Sequence, residues 1–328
     1  MKKIALGLLY QITSCLYFIS ATYDPNKALT CAYASALSHC KPSDIEAWNC
    51  GVACQNLTGF QNYFSTVVPV TFDQSVAFAM IVNPSTKTFV TSFRGTASPV
   101  QFILEVFEYQ GVPYNLSSIP GAQIEEYFYK HYVNYLRELV IKNLQTAVEA
   151  YPDYEFIFTG HSLGAAFTTL AAYDSITSNI TTKNQTVVYN YGSPRVGNYI
   201  FAKAVQGAVK EIYRVTHWRD PVPHVPPCLT DETGECMKDE PMSLLDYERM
   251  KKWPLYHVSQ EIFYNEENSD FVLCHPDEED PNCVNQFKMK NWKGSDHDFY
   301  LGVAMDCKSN SSDVAGNFLE KNFDKNYF

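Results

Sequence analysis

One segment has the residue types and spacing of a serine nucleophile. Gly160-His161-Ser162-Leu163-Gly164 has the pattern Gly-x-Ser-x-Gly. It lies between an apolar run that predicts a strand, residues 155–159, and a run that predicts a helix, residues 163–175. A serine on such a strand-to-helix turn presents its hydroxyl for attack, and small neighbours permit the tight turn. The alternative is a glycine-rich structural turn. In this context the pattern predicts that Ser162 is a catalytic nucleophile.

A serine hydroxyl is a weak nucleophile, so Ser162 needs a histidine base, and the histidine needs an acid that fixes its orientation. For a serine on this type of turn, the chain order is serine, acid, histidine. Asp220 follows a predicted strand at residues 211–217, at the strand end where open α/β sheets place their sites. A solvated loop aspartate is the alternative. We therefore predict Asp220 as the acid.

Four histidines follow Asp220 in the chain. His224 is close to Asp220 in a proline-rich loop, and His257 opens a β-rich run, where a structural role is the alternative. His275 lies beside a pair of cysteines. His297 lies in a polar turn. No spacing rule selects the base, so the residues alone favour His297 without excluding the others.

The oxyanion of the tetrahedral intermediate needs two hydrogen-bond donors. The backbone N–H of Leu163, directly after the serine, is the expected first donor. Thr96 follows Gly95 at the end of a predicted strand, residues 86–93, and offers an N–H and a hydroxyl as the second. The alternative is an ordinary strand-to-loop turn.

A short lid is predicted directly after Thr96. Four apolar residues there recur at helical spacing and form one face: Val100, Ile103, Leu104 and Phe107. A buried core helix fits the same pattern. If the segment is a lid, it covers an apolar pocket in water and exposes its apolar face at a lipid surface.

The elements around these residues predict an α/β fold. Predicted strands alternate with helices, which indicates a mostly parallel central sheet with helices on both faces. The strands are predicted at 75–82, 86–93, 155–159, 186–191, 211–217 and 257–264, and the helices at 122–149, 163–175 and 198–206. No Gly/Ser-rich linker divides the chain, so a single domain is expected over residues 22–328.

The first residues predict export from the cell. Lys2 and Lys3 precede an apolar run, and Ser20-Ala21 offers a small-residue cleavage site, so residues 1–21 are interpreted as a signal peptide. An uncleaved anchor is the alternative, and no later segment is long and apolar enough to span a bilayer. Cleavage removes two lysines and no acid, which takes the formal charge from -11 to about -13. Such a charge argues against nucleic acid and anionic membranes as partners, but not against a neutral lipid surface.

The cysteines and the sequons agree with the predicted export from the cell. Nine of the ten cysteines follow the predicted cleavage site, which favours disulfides over a metal site and leaves one thiol unpaired. We predict no metal and no cofactor. Glycosylation is predicted at five Asn-x-Ser/Thr sequons: Asn56, Asn115, Asn179, Asn184 and Asn310.

Five motifs together resemble one family, the fungal-type triacylglycerol lipases, or class 3 lipases, which have the α/β-hydrolase fold. The motifs are SFRGT (92–96), FTGHSLGAA (158–166), YGSPRVGN (191–198), RDPVPHVPP (219–227) and DHDFYLG (296–302). The resemblance implies a Ser162, Asp220 and His297 triad, an oxyanion hole at Thr96 and Leu163, and a lid after Thr96. It implies that His257 is structural. The disulfides that it implies are Cys40–Cys307, Cys50–Cys54 and Cys274–Cys283, with Cys228–Cys236 as an extra bridge and Cys31 unpaired.

Two segments depart from the family pattern. The stretch 124–128 reads IEEYF where many members have a Val-His-x-Gly-Phe-like sequence, and Gln101-Phe102 replaces the usual Asn/Asp-Trp of the lid. These departures leave the triad intact and concern the pocket wall and the lid, which determine the substrate range.

The resemblance implies a secreted serine carboxylic-ester hydrolase, with an acylglycerol as the expected substrate and a transient lipid–water interface as its expected partner. A monomer is expected. The alternatives are a phospholipase or a feruloyl-type esterase with the same triad, and a non-catalytic binding protein with the same fold.

Overall fold

A sheet of eight strands forms the centre of the molecule. The computed structural model describes residues 23–71, 74–95, 111–230, 232, 235–238, 255–276 and 279–307. The strand order in the central sheet is β1-β2-β3-β6-β7-β9-β11-β12. The bounds of these strands are Gln61–Pro69, Ser75–Asn83, Thr88–Phe93, Glu155–His161, Thr186–Tyr191, Glu211–His217, Glu261–Tyr264 and Phe271–Leu273.

The inner part of this sheet is parallel. Strand β6 pairs with β3 and β7, and β9 pairs with β7 and β11, all in parallel register. The outer pairs β1–β2, β2–β3 and β11–β12 are antiparallel. Parallel strands need covering on both faces, which agrees with the almost unbroken burial of β6, β7 and β9. The predicted α/β fold with a mostly parallel sheet is thus confirmed.

Seven described α-helices cover the two faces. Successive residues of β6 point to opposite faces, so Phe156 and Phe158 pack in one core and Ile157 in the other. Helix α1 belongs to the core around Ile157, and α6 to the core around Phe158. The bounds of α1 to α7 are Pro25–Leu37, Pro42–Glu46, Gly51–Asn56, Glu126–His131, Arg137–Ala150, Leu163–Thr177 and Tyr199–Ala208.

Six shorter strands complete the described elements. Strands β10, β8, β5 and β4 form a second sheet in that order, and β13 and β14 form a two-stranded ribbon. Their bounds, in the order β4, β5, β8, β10, β13 and β14, are Gly111–Pro113, Gln123–Glu125, Gly197–Asn198, Leu255–Tyr256, Phe299–Tyr300 and Val303–Ala304.

The sequence prediction of one helix over residues 122–149 is wrong at its beginning. Gln123–Glu125 is strand β5, because it pairs with β4 and β8, and the helix begins at Glu126. Between α4 and α5 the chain widens into a π-helical turn, Tyr132–Leu136. The strand predicted over 257–264 is also shorter and begins at Glu261. In both places long-range pairing decided the structure, and local periodicity cannot show such pairing.

Four disulfides link the described residues: Cys40–Cys307, Cys50–Cys54, Cys228–Cys236 and Cys274–Cys283. These are the same pairs that the family resemblance implies. Cys31 is unpaired and buried in α1. The first bridge is the longest in sequence, because it spans 267 residues and ties the end of α1 to the segment after β14.

Several predictions lie outside the described residues. They are the signal peptide at residues 1–21, the oxyanion donor Thr96, the lid residues Val100, Ile103, Leu104 and Phe107, and the sequon at Asn310. The other four sequon asparagines are exposed. Among the described residues, no helix combines the length and apolar character that a membrane span requires.

Candidate active site

Ser162 lies on the sharp turn between β6 and α6. Strand β6 ends at His161 and α6 begins at Leu163, and Ser162 has φ 58° and ψ -128°. Non-glycine residues rarely adopt a positive φ, so the surrounding structure must hold Ser162 there. A Cβ at Gly160 would lie 2.5 Å from the carbonyl oxygen of Gly164. Only glycine fits at position 160, and this is the physical reason for the first glycine of the pattern.

The loop after β3 approaches this turn closely. A Cβ at Gly95 would lie 2.8 Å from the carbonyl oxygen of His161 and 3.2 Å from the Cβ of Ser162. A larger residue at this position would push the loop away from the serine. Thr96 itself is not described, but the residue before it lies directly against Ser162. Leu163 is the first residue of α6, and the first amides of a helix have no partner within the helix.

Asp220 and His297 are in direct contact. Nδ1 of His297 lies 2.8 Å from Oδ2 of Asp220, and both side chains are fully buried. Tyr300 donates a hydrogen bond from its hydroxyl to the same Oδ2, and the amide of Val222 donates to Oδ1 over 2.7 Å. Burial alone would raise the pKa of Asp220, but the charge of His297 and these hydrogen bonds hold it below its ordinary value. Asp220 is therefore an ionised acceptor that orients His297.

The reactive atoms of the serine and the histidine are both available. Oγ of Ser162 and Nε2 of His297 are buried, and neither has a hydrogen-bond partner within the described part of the chain. Because Nδ1 of His297 faces Asp220, Nε2 is the nitrogen left to accept a proton. A Cβ at Gly192 would lie 2.8 Å from Oδ2 of Asp220 and 2.9 Å from Cε1 of His297, so glycine makes room for this pair.

His161 supports His297 from the serine side. The two rings lie 4.3 Å apart between centroids, and Nε2 of His161 donates to the carbonyl oxygen of His297 over 2.8 Å. Burial, followed by the nearby charge of His297, lowers the pKa of His161 well below its usual value. His161 therefore stays neutral, which keeps its donor role and adds no second positive charge.

The other three candidate histidines form no hydrogen bond with Asp220 in the described structure. His257 is buried, and its Nε2 donates to the carbonyl oxygen of Pro223 over 2.7 Å. The ring of His224 stacks on Trp292 at 4.7 Å, and His275 is exposed beyond β12. Of the four histidines, only His297 has the contact that a triad requires.

A buried ion pair holds the loop after Asp220. Arg195 pairs with Glu279 over 2.5 Å, and both side chains are almost completely buried. The guanidinium also donates to the carbonyl oxygens of His224 and Pro226 over 2.8 and 2.9 Å. Burial would raise the pKa of Glu279, but the charge of Arg195 lowers it strongly. The pair fixes the backbone only a few residues beyond Asp220.

Two clusters have residue types that bind metals elsewhere, namely Cys228 with Cys236 and Glu279, and Glu261 with Cys274 and Cys283. In both, the sulfurs are joined in disulfides and are not thiolates. Thiolate sulfur is the form that binds metal, so neither described cluster fits a metal ion.

Comparison with known proteins gives a family match and a fold match. Residues 90–230 match the family described as Lipase (class 3). A secreted mono- and diacylglycerol lipase 1 of Fusarium solani is 44% identical over 100 residues, 28% of each chain. A secreted mono- and diacylglycerol lipase A of Penicillium cyclopium is 34% identical over 145 residues, 44% of this chain and 45% of the relative. The chain thus matches less than half the length of these curated relatives.

The fold match extends further. The native Rhizomucor miehei lipase propeptide complex superposes with a TM-score of 0.71 at 23% identity, covering 87% of this chain and 82% of the other. The protein has the α/β-hydrolase fold. Over residues 90–230 the chain is similar to the class 3 lipase family.

Three residues of the site were missed in the sequence. They are Tyr300, which donates to Asp220, His161, which packs on His297, and Gly192, which makes room for the Asp220–His297 pair. None of them belongs to a distinctive local pattern. His161 occupies a variable position of the serine motif. Only its buried ring contact with a residue 136 positions later shows its role.

Proposed function

We propose that this protein is a secreted serine carboxylic-ester hydrolase whose substrate is an acylglycerol. The observation that carries the proposal is the buried Asp220–His297 contact together with the free Nε2 of His297 and the free Oγ of Ser162 among the described residues. A histidine that a buried acid orients, with its second nitrogen unoccupied, is the base that a serine needs to become a nucleophile.

The proposed reaction proceeds in two halves. Nε2 of His297 takes the proton from Oγ of Ser162 as the oxygen attacks the ester carbonyl. The Leu163 amide and Thr96, the predicted second donor, stabilise the oxyanion. His297 then gives the proton to the departing glycerol oxygen, which leaves an acyl-serine. Water, deprotonated by His297, attacks the acyl-serine and releases the fatty acid, and the proton returns to Ser162.

The substrate class rests on the relatives. Those from Fusarium solani and Penicillium cyclopium are named mono- and diacylglycerol lipases, and both are named as secreted. The predicted signal peptide and the exposed sequons at Asn56, Asn115, Asn179 and Asn184 support the same route. We propose that these four asparagines are glycosylated and that the mature protein is extracellular.

Removal of the nucleophile tests the proposal. Ser162→Ala and His297→Ala should each lower kcat for a short-chain ester by roughly 10⁴-fold or more, because triad members act as a unit. His257→Ala should keep kcat in its folded fraction while lowering stability, since His257 supports a loop. Initial rates on tributyrin and circular dichroism measure both effects. Near-wild-type turnover by Ser162→Ala contradicts the nucleophile, and swapped histidine phenotypes contradict the base.

A panel of ester substrates tests the proposed substrate class. The wild-type protein should hydrolyse monoacylglycerol and diacylglycerol faster than phosphatidylcholine or a feruloyl ester. A preference for either of the last two would replace the acylglycerol assignment with a phospholipase or feruloyl esterase. No turnover on any ester, and no labelling of Ser162 by a fluorophosphonate, would leave a non-catalytic binding protein.

A further inference from the structure

A short basic segment stands out on a strongly acidic chain. The stretch 281–295 (PNCVNQFKMKNWKGS) contains three lysines and no acidic residue, although the whole chain has a formal charge of -11. We define residues 287–293 as the lysine segment. Lys288, Met289 and Lys290 are exposed, and Met289 is one of the few exposed large apolar side chains described, at 40%. Cationic and apolar side chains therefore share one surface.

The lysine segment is fixed beside the catalytic pair. The amide of Lys293 donates to the carbonyl oxygen of Arg219 over 2.9 Å, one residue before Asp220. The Trp292 ring stacks on His224 at a centroid distance of 4.7 Å and an interplanar angle of 24°. The segment is followed by the turn Gly294–His297, which ends on the catalytic histidine. It therefore lies between the loops that carry Asp220 and His297.

The positive charges of this segment are mostly uncompensated. Neither Lys288 nor Lys290 forms an ion pair with any residue in the described ranges, and both face solvent. Lys293 lies 3.4 Å from Asp296. Arg219 adds a fourth cation, with its guanidinium 5.7 Å from the centroid of the Phe287 ring. Solvated lysines are common on surfaces, but here they accompany an exposed methionine and a half-buried tryptophan at the edge of the site.

This combination fits a lipid surface that carries negative charge. Hydrolysis of an acylglycerol releases a fatty acid, whose ionised form makes the substrate surface negative. Such a surface repels a chain of charge -11, unless a local cationic patch faces it. Lysines gain from the anionic charge, while methionine and tryptophan side chains enter the apolar boundary. Each lysine near an anionic surface strengthens binding to that surface about fivefold.

We propose that the lysine segment docks on a fatty-acid-bearing lipid surface and brings the Asp220–His297 edge of the site against it. The proposal rests on the proposed function for its choice of lipid. It assigns docking to residues other than those of the predicted lid, and it opposes the expectation from net charge alone that an anionic surface is avoided.

Vesicle binding tests the proposal in a Ser162→Ala background, where the lipid stays chemically unchanged. Binding to phosphatidylcholine vesicles containing oleate is measured by co-sedimentation and compared with binding to phosphatidylcholine alone. We expect stronger binding to the oleate vesicles. Lys288→Glu/Lys290→Glu should lower the partition coefficient by roughly tenfold or more. Lys288→Gln/Lys290→Gln, a milder change, should give an intermediate loss.

The matched control is Lys142→Glu/Lys183→Glu, which changes the charge equally at two exposed lysines on other elements. It should lower binding by no more than about threefold, through net charge alone. An equal loss in both variants overturns the proposal, as does equal binding to neutral and oleate vesicles. Retention on heparin without vesicle binding would assign the segment to an anionic polysaccharide instead.

A soluble ester separates this proposal from the proposed function. With Ser162 intact, the Lys288/Lys290 variants should hydrolyse p-nitrophenyl acetate below its solubility limit at the wild-type rate. If the wild-type protein hydrolyses no ester, the proposed function fails and the vesicle result stands on its own. If ester hydrolysis is intact but the lysine variants bind vesicles normally, the docking surface alone is wrong.

Discussion

At the scale of single residues, the site depends on the hydrogen bonds that one carboxylate, that of Asp220, accepts. Asp220 accepts from His297, Tyr300 and the Val222 amide, and it is fully buried. A buried carboxylate with several donors is held in place and kept ionised. This differs from a solvated aspartate, which would allow the imidazole to rotate. The ordering of His297 therefore depends on Tyr300 and the Val222 amide, which contact Asp220 and not His297 itself.

Tyr300→Phe tests this role. The change removes one donor from Oδ2 of Asp220 but keeps the ring, so we expect kcat to fall by roughly tenfold with KM nearly unchanged. Tyr189→Phe is the matched control, because the Tyr189 hydroxyl is buried and has no described partner. Steady-state kinetics on a soluble ester measures both. Equal kcat values for the two variants would show that Tyr300 only fills space.

At the scale of elements, the proposed catalytic residues come from distant parts of the chain and meet near the carboxyl ends of β6 and β9. Ser162 follows β6, and Asp220 follows β9. His297 is the last residue of the turn Gly294–His297, just before strand β13, in a loop with little regular structure. Such a loop needs external anchors. The Cys40–Cys307 bridge supplies one, because it joins the segment after β14 to the end of α1.

Loss of the Cys40–Cys307 bridge should lower the free energy of unfolding more than loss of a bridge that closes a short loop. Cys40→Ala/Cys307→Ala opens a loop of 267 residues, and the chain-entropy model assigns such a loop on the order of 5 kcal/mol of unfolding free energy. Cys50→Ala/Cys54→Ala is the control, with a separation of 4 residues and an expected cost of about 2 kcal/mol. Urea denaturation gives both values. Labelling of Cys307 by a thiol reagent in the native wild-type protein would contradict the bridge.

At the scale of the whole molecule, buried neutral histidines couple folding to pH. Burial, followed by the charge of Arg94, lowers the pKa of His39 from 6.5 to about 4. Burial, followed by the charge of Arg195, lowers the pKa of His224 to about 3. His161 and His257 are shifted in the same direction, with burial as the largest cause. Between pH 6.5 and 4 these four histidines therefore bind protons in the unfolded chain but not in the folded chain, which outweighs the opposite effect of Glu125 and Asp298, whose pKa values burial raises to about 7 and about 6.

The free energy of unfolding should consequently fall as the pH drops from about 6.5 to 4. His39 alone accounts for on the order of 3 kcal/mol of this loss once the pH is below its folded pKa. Urea denaturation at several pH values measures the slope, and His39→Gln should make it shallower. A wild-type stability that is flat over this range would contradict the argument.

The sequence by itself determined the features that are local. The serine motif predicts its own turn, because Gly160 and Ser162 must adopt a conformation set by their immediate neighbours. The alternation of strands and helices predicts the parallel sheet, because the hydrophobic periodicity of each segment indicates its secondary structure. Asp220 could be placed at a strand end for the same reason. Thr96 and the lid stay predictions of this kind, since they lie outside the described residues.

The residue patterns alone left four histidines open, and the tertiary structure decided which of them meets the acid. Asp220 and His297 are 77 positions apart, and four histidines offered the same side chain. No local pattern encodes a contact across that separation, because it depends on how several loops pack together. The contact of Tyr300 with Asp220 and the contact of His161 with His297 are equally invisible to local patterns. The residues of strand β5 have a helical pattern in the sequence, but they form a strand because they pair with β4 and β8.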